Sequence, residues 1–177
     1  MSVAVPTRIS TQPLAEKPLQ GLRFAVKDIF DIEDLRVTAG CRAFYALADP
    51  APSTAPAVQK LLDKGATLVG TLKLGSLIAR EEPTESVDWH ASFNPRGDGY
   101  QSAWSSSRGS GAAVASYEWV DFTLGTDSKL LDSLCRLSLI AISATGSSRR
   151  PVMANGCFGL RVSQKYLPLD KVLPSWR

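Results

Sequence analysis

A helix, a glycine and a buried strand follow one another between Thr54 and Thr71, and this unit constrains the fold most. Thr54 is a good N-cap residue, and Gly65 stops the helix at its C-terminal end. Apolar residues recur between them at i, i+3 and i+4 spacing, namely Val58, Leu61 and Leu62. Residues 66–71 form an apolar run typical of a buried strand. The order predicts the α/β class, here a partial mixed β-sheet flanked by helices.

Two further short strands are predicted on either side of this unit. Residues 22–26 end in a β-branched residue and are closed by the polar pair Lys27-Asp28, and residues 121–124 lead into Gly-Thr-Asp. An alanine-rich helix is predicted over residues 109–119. Residues 1–20 are polar and contain proline, so we expect a flexible leader there, with the folded domain beginning at residue 21.

Length, charge and cysteine content exclude several classes of function. The 177 residues suffice for one ordinary domain. The 20 basic and 17 acidic residues are dispersed, which predicts no nucleic-acid partner. Three cysteines without CxxC spacing (Cys41, Cys135 and Cys157) argue against a disulfide framework or a metal site. Neither a secretory signal nor a membrane span is visible, so we expect a cytoplasmic protein without a membrane partner. The oligomeric state stays open.

The chemistry-bearing residues indicate a serine nucleophile served by a lysine. Two glycine- and serine-rich segments, residues 104–111 and 145–148, share the chain with a single histidine, His90, which leaves little room for a Ser-His-Asp site. Lys27 follows an apolar strand, and a buried lysine loses its hydration and becomes a base near neutral pH. An ordinary surface lysine and a flexible Ser/Gly linker are the competing interpretations.

In the order of its motifs the chain resembles the amidase signature family, in a fungal-type form. The resemblance spans residues 21–161, which are 141 of the 177 positions. The matching segments are Gly21–Asp28, the helix–strand unit at 54–70, Ser106–Ala113, Leu124–Asp127, Thr145–Pro151 and Gly156–Arg161. The resemblance implies an amide hydrolase that acts by acyl transfer on a small-molecule amide and needs no cofactor.

The family's functional positions carry over to particular residues. Lys27 matches the lysine base, Ser106 the bridging serine that follows a cis peptide, and Ser148 the nucleophile. The backbone amides of Thr145, Gly146 and Ser147 match the loop that stabilises the oxyanion. Asp127 and Arg150 match an ion pair that supports this loop, although two unrelated surface charges remain the alternative.

The chain departs from the family pattern beside the bridging serine. Trp104 and Ser105 stand where the family has two glycines, and Arg108 replaces a small residue. The cation of Arg108 would favour a deprotonated Lys27, while its bulk would obstruct the site.

A larger departure is an insertion at residues 128–144, which separates Gly-Thr-Asp from the nucleophile segment. Removing these 17 residues would shorten the separation of Ser106 and Ser148 from 42 to 25 positions. One interpretation is a retained short intron, and the other is an amphipathic helix carrying Leu130, Leu134, Leu137 and Ala141. The chain is also short for the family, so residues 21–177 are expected to form an incomplete domain. The alternative to an impaired amidase is therefore a non-catalytic pseudoenzyme fragment or a mis-spliced product.

Overall fold

A computed structural model describes most of the chain. The described residues are 3–7, 14–79, 81–127, 136–138, 147–160, 162, 168 and 170–173. Of the predicted insertion, only 136–138 fall within these ranges. Thr145 and Gly146 of the predicted oxyanion loop, and Leu130, Leu134 and Ala141 of the predicted helix, lie outside them.

Four strands form a mixed sheet in the order β2-β1-β3-β4. The strands are β1 Arg23–Lys27, β2 Thr67–Leu72, β3 Phe122–Asp127 and β4 Arg136–Ser138. The central strand β1 runs parallel to both β2 and β3, whereas β4 pairs antiparallel with β3. This arrangement confirms the predicted α/β class and mixed sheet. Because β1 and β3 are parallel, their carboxyl ends meet at the same edge of the sheet.

Among the described residues, four helices accompany the sheet: α1 Arg42–Leu47, α2 Pro56–Asp63, α3 Arg108–Ser116 and α4 Arg149–Ala154. Short 3₁₀ turns lie at Ser76–Ile78 and Pro83–Glu85. Within the described residues, no helix has both the length and the apolar character that crossing a membrane requires.

The predicted helix–glycine–strand unit is present, but the residue that caps it differs. The N-cap of α2 is Ala55, and the hydroxyl of Thr54 instead accepts a hydrogen bond from the backbone N–H of Glu33 at 3.1 Å. The Thr54 side chain thus bonds to a distant segment, and no side chain caps the start of α2. Gly65 ends the unit as predicted, with φ of +94° and its N–H bonded to the carbonyl of Leu62.

The hydrophobic core lies between the sheet and α2. Strand β1 contributes Phe24 and Val26, β3 contributes Leu124, and α2 contributes Val58, all with no exposed surface. Phe24 also stacks on Phe122 of the neighbouring strand, with ring centroids 5.2 Å apart. The core therefore fixes β1 and β3 side by side, and this alignment positions the polar residues at their ends.

The insertion contains a strand where a helix was one of the two interpretations. Residues 136–138 pair with Gly125, Thr126 and Asp127 of β3, so Leu137 belongs to β4 and the helical interpretation is wrong there. An open edge of β3 carries backbone donors and acceptors that need partners, and an antiparallel segment satisfies them. The division into a leader at 1–20 and a domain at 21–177 stays a prediction, although Leu19 already packs against the core.

Candidate active site

A buried lysine stands at the edge where β1 and β3 end. Lys27 has no exposed surface, and its Nζ donates to Ser106 Oγ at 2.7 Å and to Thr126 Oγ1 at 3.0 Å. Thr126 reaches this point because β3 lies next to β1 and ends beside it. The structure thus brings together a lysine and a serine that are 79 positions apart in the chain.

The serine-rich segment holds its side chains in the interior at the start of α3. The Ser105–Ser106 peptide bond is cis, and both Ser106 and Ser107 are almost fully buried. The carbonyl of Ser106 accepts from Gly75 N–H, and the N–H of Ser107 donates to the carbonyl of Ser147 at 2.9 Å. These two bonds join the segment to the end of β2 and to the start of α4. The segment is therefore packed into the site, and the competing interpretation of a flexible linker is wrong here.

Ser148, the predicted nucleophile, reaches the same cluster through a different neighbour from the one expected. Its Oγ donates to the carbonyl of Thr126 at 2.8 Å and lies 3.2 Å from Ser107 Oγ. Within the described part of the chain these are its hydrogen bonds, so Ser148 pairs with Ser107 and not with the bridging Ser106. Thr126 connects the two halves, because its side chain receives Lys27 and its carbonyl receives Ser148.

A glycine in β3 makes room for this pair of serines. A Cβ placed on Gly125 would lie 2.8 Å from Ser148 Oγ and 3.1 Å from Ser107 Oγ, distances that real Cβ atoms essentially never show or rarely tolerate. The Gly-Thr-Asp motif thus supplies three separate functions. The glycine supplies space, the threonine supplies hydrogen bonds, and the aspartate supplies charge.

The predicted ion pair exists with a different arginine. Asp127 Oδ2 accepts from Arg149 Nε at 2.5 Å, and both side chains are buried. Arg150 instead places its guanidinium 5.2 Å from the centroid of the Trp104 ring. Successive residues of a helix point about 100° apart, so α4 directs only one of the two arginines at Asp127. The assignment of Arg150 to Asp127 was therefore wrong.

Arg108 does not obstruct the serines. Its side chain is 3% exposed, forms an ion pair with Glu81, and donates to Ser86 Oγ at 2.7 Å. The carboxylate of Glu81 compensates the guanidinium charge, so the expected effect of Arg108 on Lys27 is correspondingly reduced. The size and charge of Arg108 are accommodated by the loop at 81–86.

Asp28 is engaged outside the lysine–serine cluster. Its carboxylate accepts hydrogen bonds from the backbone N–H and the hydroxyl of Thr38. Burial raises the pKa of this carboxyl above the ordinary 3.8, although the bonds from Thr38 act in the opposite direction. Lys27 and Asp28 are adjacent in sequence, yet their side chains contact different parts of the protein, as expected for an extended segment.

A small pocket opens beside Ser148 between α3, β3 and α4. Its volume is about 20 Å³, which is room for about one water molecule. Helix α3 contributes Ser110 and Val114 to its walls, α4 contributes Val152, and Cys157 lies at one side. Burial raises the pKa of the Cys157 thiol, and the nearby Arg96 lowers it in part.

Two predicted site elements remain partly outside this description. Of the oxyanion residues Thr145, Gly146 and Ser147, the structure describes only Ser147, whose carbonyl accepts from Ser107. The single histidine, His90, is exposed. Among the described residues, no group of three or more His, Cys, Asp or Glu side chains could hold a metal ion.

The site thus places a buried lysine against a serine that follows a cis peptide, with a second serine at the start of α4 nearby. The profile of the Amidase family matches residues 7–129, which is more than half of the sequence. The chain belongs to the Amidase family.

Two similar curated relatives are much longer than this chain. Amidase 1 of Oryza sativa subsp. japonica is 37% identical over 163 residues, which are 92% of this chain and 33% of that protein. The 1-carboxybiuret hydrolase subunit AtzE of Pseudomonas sp. (strain ADP) is 35% identical over 144 residues, 81% of this chain and 27% of that subunit. The chain thus spans about a third or less of the length of these relatives.

Solved structures share the fold. The peptide amidase PAM in complex with chymostatin matches with a TM-score of 0.63 over 90% of this chain and 29% of its own, at 22% identity, which bears on the fold alone. An inhibitor-bound complex linked by its authors to the origins of an s-triazine catabolic enzyme matches at 37% identity with a TM-score of 0.56. That match covers 62% of this chain and 23% of the other.

Sequence reasoning missed three residues of the cluster: Ser107, Thr126 and Arg149. Each stands next to a residue that was singled out, namely Ser106, Asp127 and Arg150. A motif identifies a segment of a few residues, but the direction of each side chain depends on the backbone conformation. The motif therefore located the cluster without resolving which neighbour takes part.

Proposed function

We propose that the chain is an amide hydrolase in which Ser148 is the nucleophile, Ser106 relays a proton and Lys27 is the base. The observation that carries this proposal is the contact of the fully buried Lys27 Nζ with Ser106 Oγ at 2.7 Å. Burial removes water from an ammonium and favours the neutral amine, which can then accept a proton. The bond from Ser148 to Thr126 keeps the nucleophile beside this pair.

The reaction proceeds by acyl transfer in two stages. Ser148 Oγ attacks the amide carbonyl as its proton passes through Ser106 Oγ to Lys27 Nζ, and an O–C bond forms. The C–N bond then breaks, and the same proton returns to the leaving amine. Water then attacks the acyl-enzyme ester as its proton passes through Ser106 Oγ to Lys27 Nζ, and the ester C–O bond breaks as that proton returns to Ser148 Oγ. The products are a carboxylic acid and an amine, with one water consumed.

The proposed relay requires Ser148 to change its hydrogen-bond partner. Its Oγ now contacts Ser107 Oγ and the carbonyl of Thr126. A rotation of the buried Ser148 side chain about χ1 would turn the hydroxyl towards Ser106. A substrate whose carbonyl carbon lies beside Ser148 would favour this rotamer, because the hydroxyl must leave the carbonyl of Thr126 before it can attack. Backbone N–H groups of residues 145–147 are the proposed donors to the oxyanion.

The proposed substrates are small linear amides. The relatives include an Amidase 1, a 1-carboxybiuret hydrolase subunit and glutamyl-tRNA(Gln) amidotransferase subunits, and amide chemistry is common to these names. The proposal includes no cofactor and no nucleic-acid or membrane partner. The cytoplasmic location remains part of the proposal, since two relatives are named as organelle outer-membrane or envelope proteins.

Labelling with a fluorophosphonate probe and turnover of simple amides test the proposal together. We expect Ser148→Ala to abolish labelling and to lower kcat by about a thousandfold or more, with Lys27→Met and Ser106→Ala similarly impaired. The exposed Ser116 at the end of α3 offers a matched control, and Ser116→Ala should label and turn over normally. Labelling that persists in Ser148→Ala would contradict the assignment of the nucleophile.

A non-catalytic member of the family is the second candidate. The observation that favours it is the pairing of Ser148 with Ser107, which leaves the bond to Ser106 unformed. A folded wild-type chain that neither labels nor hydrolyses any amide would support this alternative over the first.

A further inference from the structure

Helix α1 has an apolar sequence but no buried residue. Its sequence is RAFYAL, in which every residue after the first is apolar or aromatic, yet none of them is buried and Leu47 is 86% exposed. Six residues are too few to form a stable helix alone in water, and helices in proteins gain most of their stability by packing an apolar face. In this structure α1 therefore lacks the packed face that its sequence provides.

Exposed apolar side chains from two other segments lie beside α1. The guanidinium of Arg36 lies 5.9 Å from the centroid of the Tyr45 ring, which places residue 35 next to the helix. The backbone N–H of Arg42 donates to the carboxylate of Asp88 at 2.7 Å, which places residue 87 at the start of the helix. The exposed apolar side chains of this region, here called the α1 surface, are Leu35, Tyr45, Leu47 and Val87.

Two arginines accompany the apolar side chains of the α1 surface. Arg36 stacks on Tyr45, and Arg42 lies 5.7 Å from the centroid of the Trp89 ring. Neither guanidinium forms an ion pair with a residue that the structure describes, so their N–H groups can donate to a further molecule. Aromatic residues and arginine are enriched where proteins contact one another, and grouped exposed apolar side chains mark such contacts. The α1 surface thus has the composition of a protein interface.

The lengths of the relatives indicate what covers this surface. The matched segment is 33% of Amidase 1 of Oryza sativa and 27% of the AtzE subunit, so 67% and 73% of these chains lie outside it. In such a protein, a helix at the position of α1 can pack against residues that have no counterpart among these 177 positions. A second copy of this chain would supply only the segment that is already present.

We propose that the α1 surface binds the part of the Amidase fold that lies outside the segment matched by this chain. The contacting residues of that part are apolar opposite Leu47 and Val87, and they offer carbonyl or carboxylate oxygens to Arg36 and Arg42. The contact buries α1 and completes its packing. This inference goes beyond the proposed amide hydrolysis and does not depend on it, because it concerns binding between polypeptides.

The binding test uses the part of Oryza sativa Amidase 1 outside its matched segment, here called the Oryza remainder. It is co-expressed with the full chain, and the affinity of the purified pair is measured by titration. The matched segment of Amidase 1 with the same remainder is the positive control. We expect Leu47→Asp and Val87→Asp each to weaken the complex by about thirtyfold or more, because a charge would enter an apolar contact. Leu47→Met keeps the apolar side chain and should bind as wild type does.

A second measurement joins the Oryza remainder to residue 177 through a flexible Gly/Ser linker, which makes the contact intramolecular. Cys41 precedes α1 directly and is partly exposed, so its rate of alkylation by N-ethylmaleimide reports whether the α1 surface is covered. We expect alkylation of Cys41 to be about tenfold slower in the joined protein than in the chain alone. Leu47→Asp should restore the faster rate. Because Leu47 and Val87 are exposed, the same substitutions should leave the thermal unfolding of the chain alone unchanged.

Three results would overturn the inference. The first is an unchanged rate of Cys41 alkylation in the joined protein. The second is binding of the Oryza remainder that Leu47→Asp and Val87→Asp do not weaken. The third is a chain that dimerises by itself, measured by sedimentation, and becomes monomeric in Leu47→Asp, because the α1 surface would then belong to a second copy. None of these results bears on hydrolysis, which is tested separately by the labelling of Ser148.

Discussion

At the end of β1, two adjacent charged residues meet different surroundings. Lys27 turns towards Ser106 and Thr126, whereas Asp28 bonds to Thr38. The separation matters for the proposed base, because a carboxylate in direct contact would favour the protonated ammonium. Because side chains alternate along an extended segment, the Asp28 carboxylate bonds to Thr38 and does not contact Lys27.

The carboxyl of Asp28 predicts a specific dependence of stability on pH. Its pKa is raised in the folded protein, mainly by burial, so the folded state holds the proton more tightly than the unfolded state does. The ionised form therefore costs stability above the raised pKa, and this cost disappears as the pH falls below 3.8. We expect Asp28→Asn to gain in unfolding free energy relative to wild type as the pH rises from acid to neutral, measured by urea denaturation.

Asp98 provides a control of opposite sign. Bonds from the backbone N–H groups of Tyr100 and Gln101 lower the pKa of Asp98. Its carboxylate contributes stability above 3.8 that is lost as the pH falls through the lowered pKa. Asp98→Asn should therefore lose stability relative to wild type as the pH rises. The same slope for both variants would contradict this account.

At the scale of elements, the start of α3 is anchored by one buried charge. Arg108 is the first residue of the helix, and its guanidinium contacts Glu81 and Ser86 in the preceding loop. Gly109 next to it approaches β2 closely, since a Cβ there would lie 2.5 Å from the carbonyl of Lys73. The position of Ser106 and Ser107 depends on this anchoring, because they directly precede the helix.

Removing one partner of this ion pair should destabilise the protein strongly. We expect Arg108→Met to lower the unfolding free energy by about 3–5 kcal/mol, because it leaves the Glu81 carboxylate uncompensated. The double variant Arg108→Met, Glu81→Gln removes both charges and should recover at least half of the loss. Chemical denaturation of the two variants measures the difference, and a double variant no more stable than the single one would refute the ion-pair explanation.

The sequence predicted the helices and strands that depend on local signals but not the features that depend on contacts across the fold. The helix–strand unit at 54–71 was predicted because apolar spacing and a glycine stop are local signals. The cap at Thr54 was not, since Glu33 takes its hydroxyl from across the fold. Strand β4 was also missed, because pairing with β3 depends on an open edge and not on the residues 136–138 alone.

At the scale of the whole molecule, the site is assembled from segments far apart in sequence. Positions 27, 106 and 148 converge because β1 and β3 are parallel and α3 and α4 start at the same edge. Seventeen residues, 128–144, separate Asp127 from the segment that bears Ser148.

Deleting residues 128–144 should improve the site. The shortened chain restores Gly-Thr-Asp followed directly by Thr-Gly-Ser-Ser, and a misplacement of about 1 Å can cost a hundredfold in rate. We expect the deletion variant to label with fluorophosphonate up to about a hundredfold faster than the full chain, measured with Ser148→Ala controls in both backgrounds. Slower labelling, with loss of stability from the missing β3–β4 pairing, would identify the insertion as a working part of the protein. Transcript reads across codon 128 provide the matching genetic observation.

Three of the four strands, the lysine after β1 and the two serine-rich segments could be derived from the chain alone, because each depends on local pattern or on motifs that resemble a known family. Which side chains contact one another could not be derived from the sequence. Ser148 pairs with Ser107, Asp127 with Arg149, and Arg108 with Glu81. Each of these contacts joins residues between 22 and 41 positions apart. Whether such a contact forms depends on how the helix is rotated against the sheet, because one position along α4 turns a side chain by about 100°. Long-range packing sets that rotation, and only the tertiary structure resolves it.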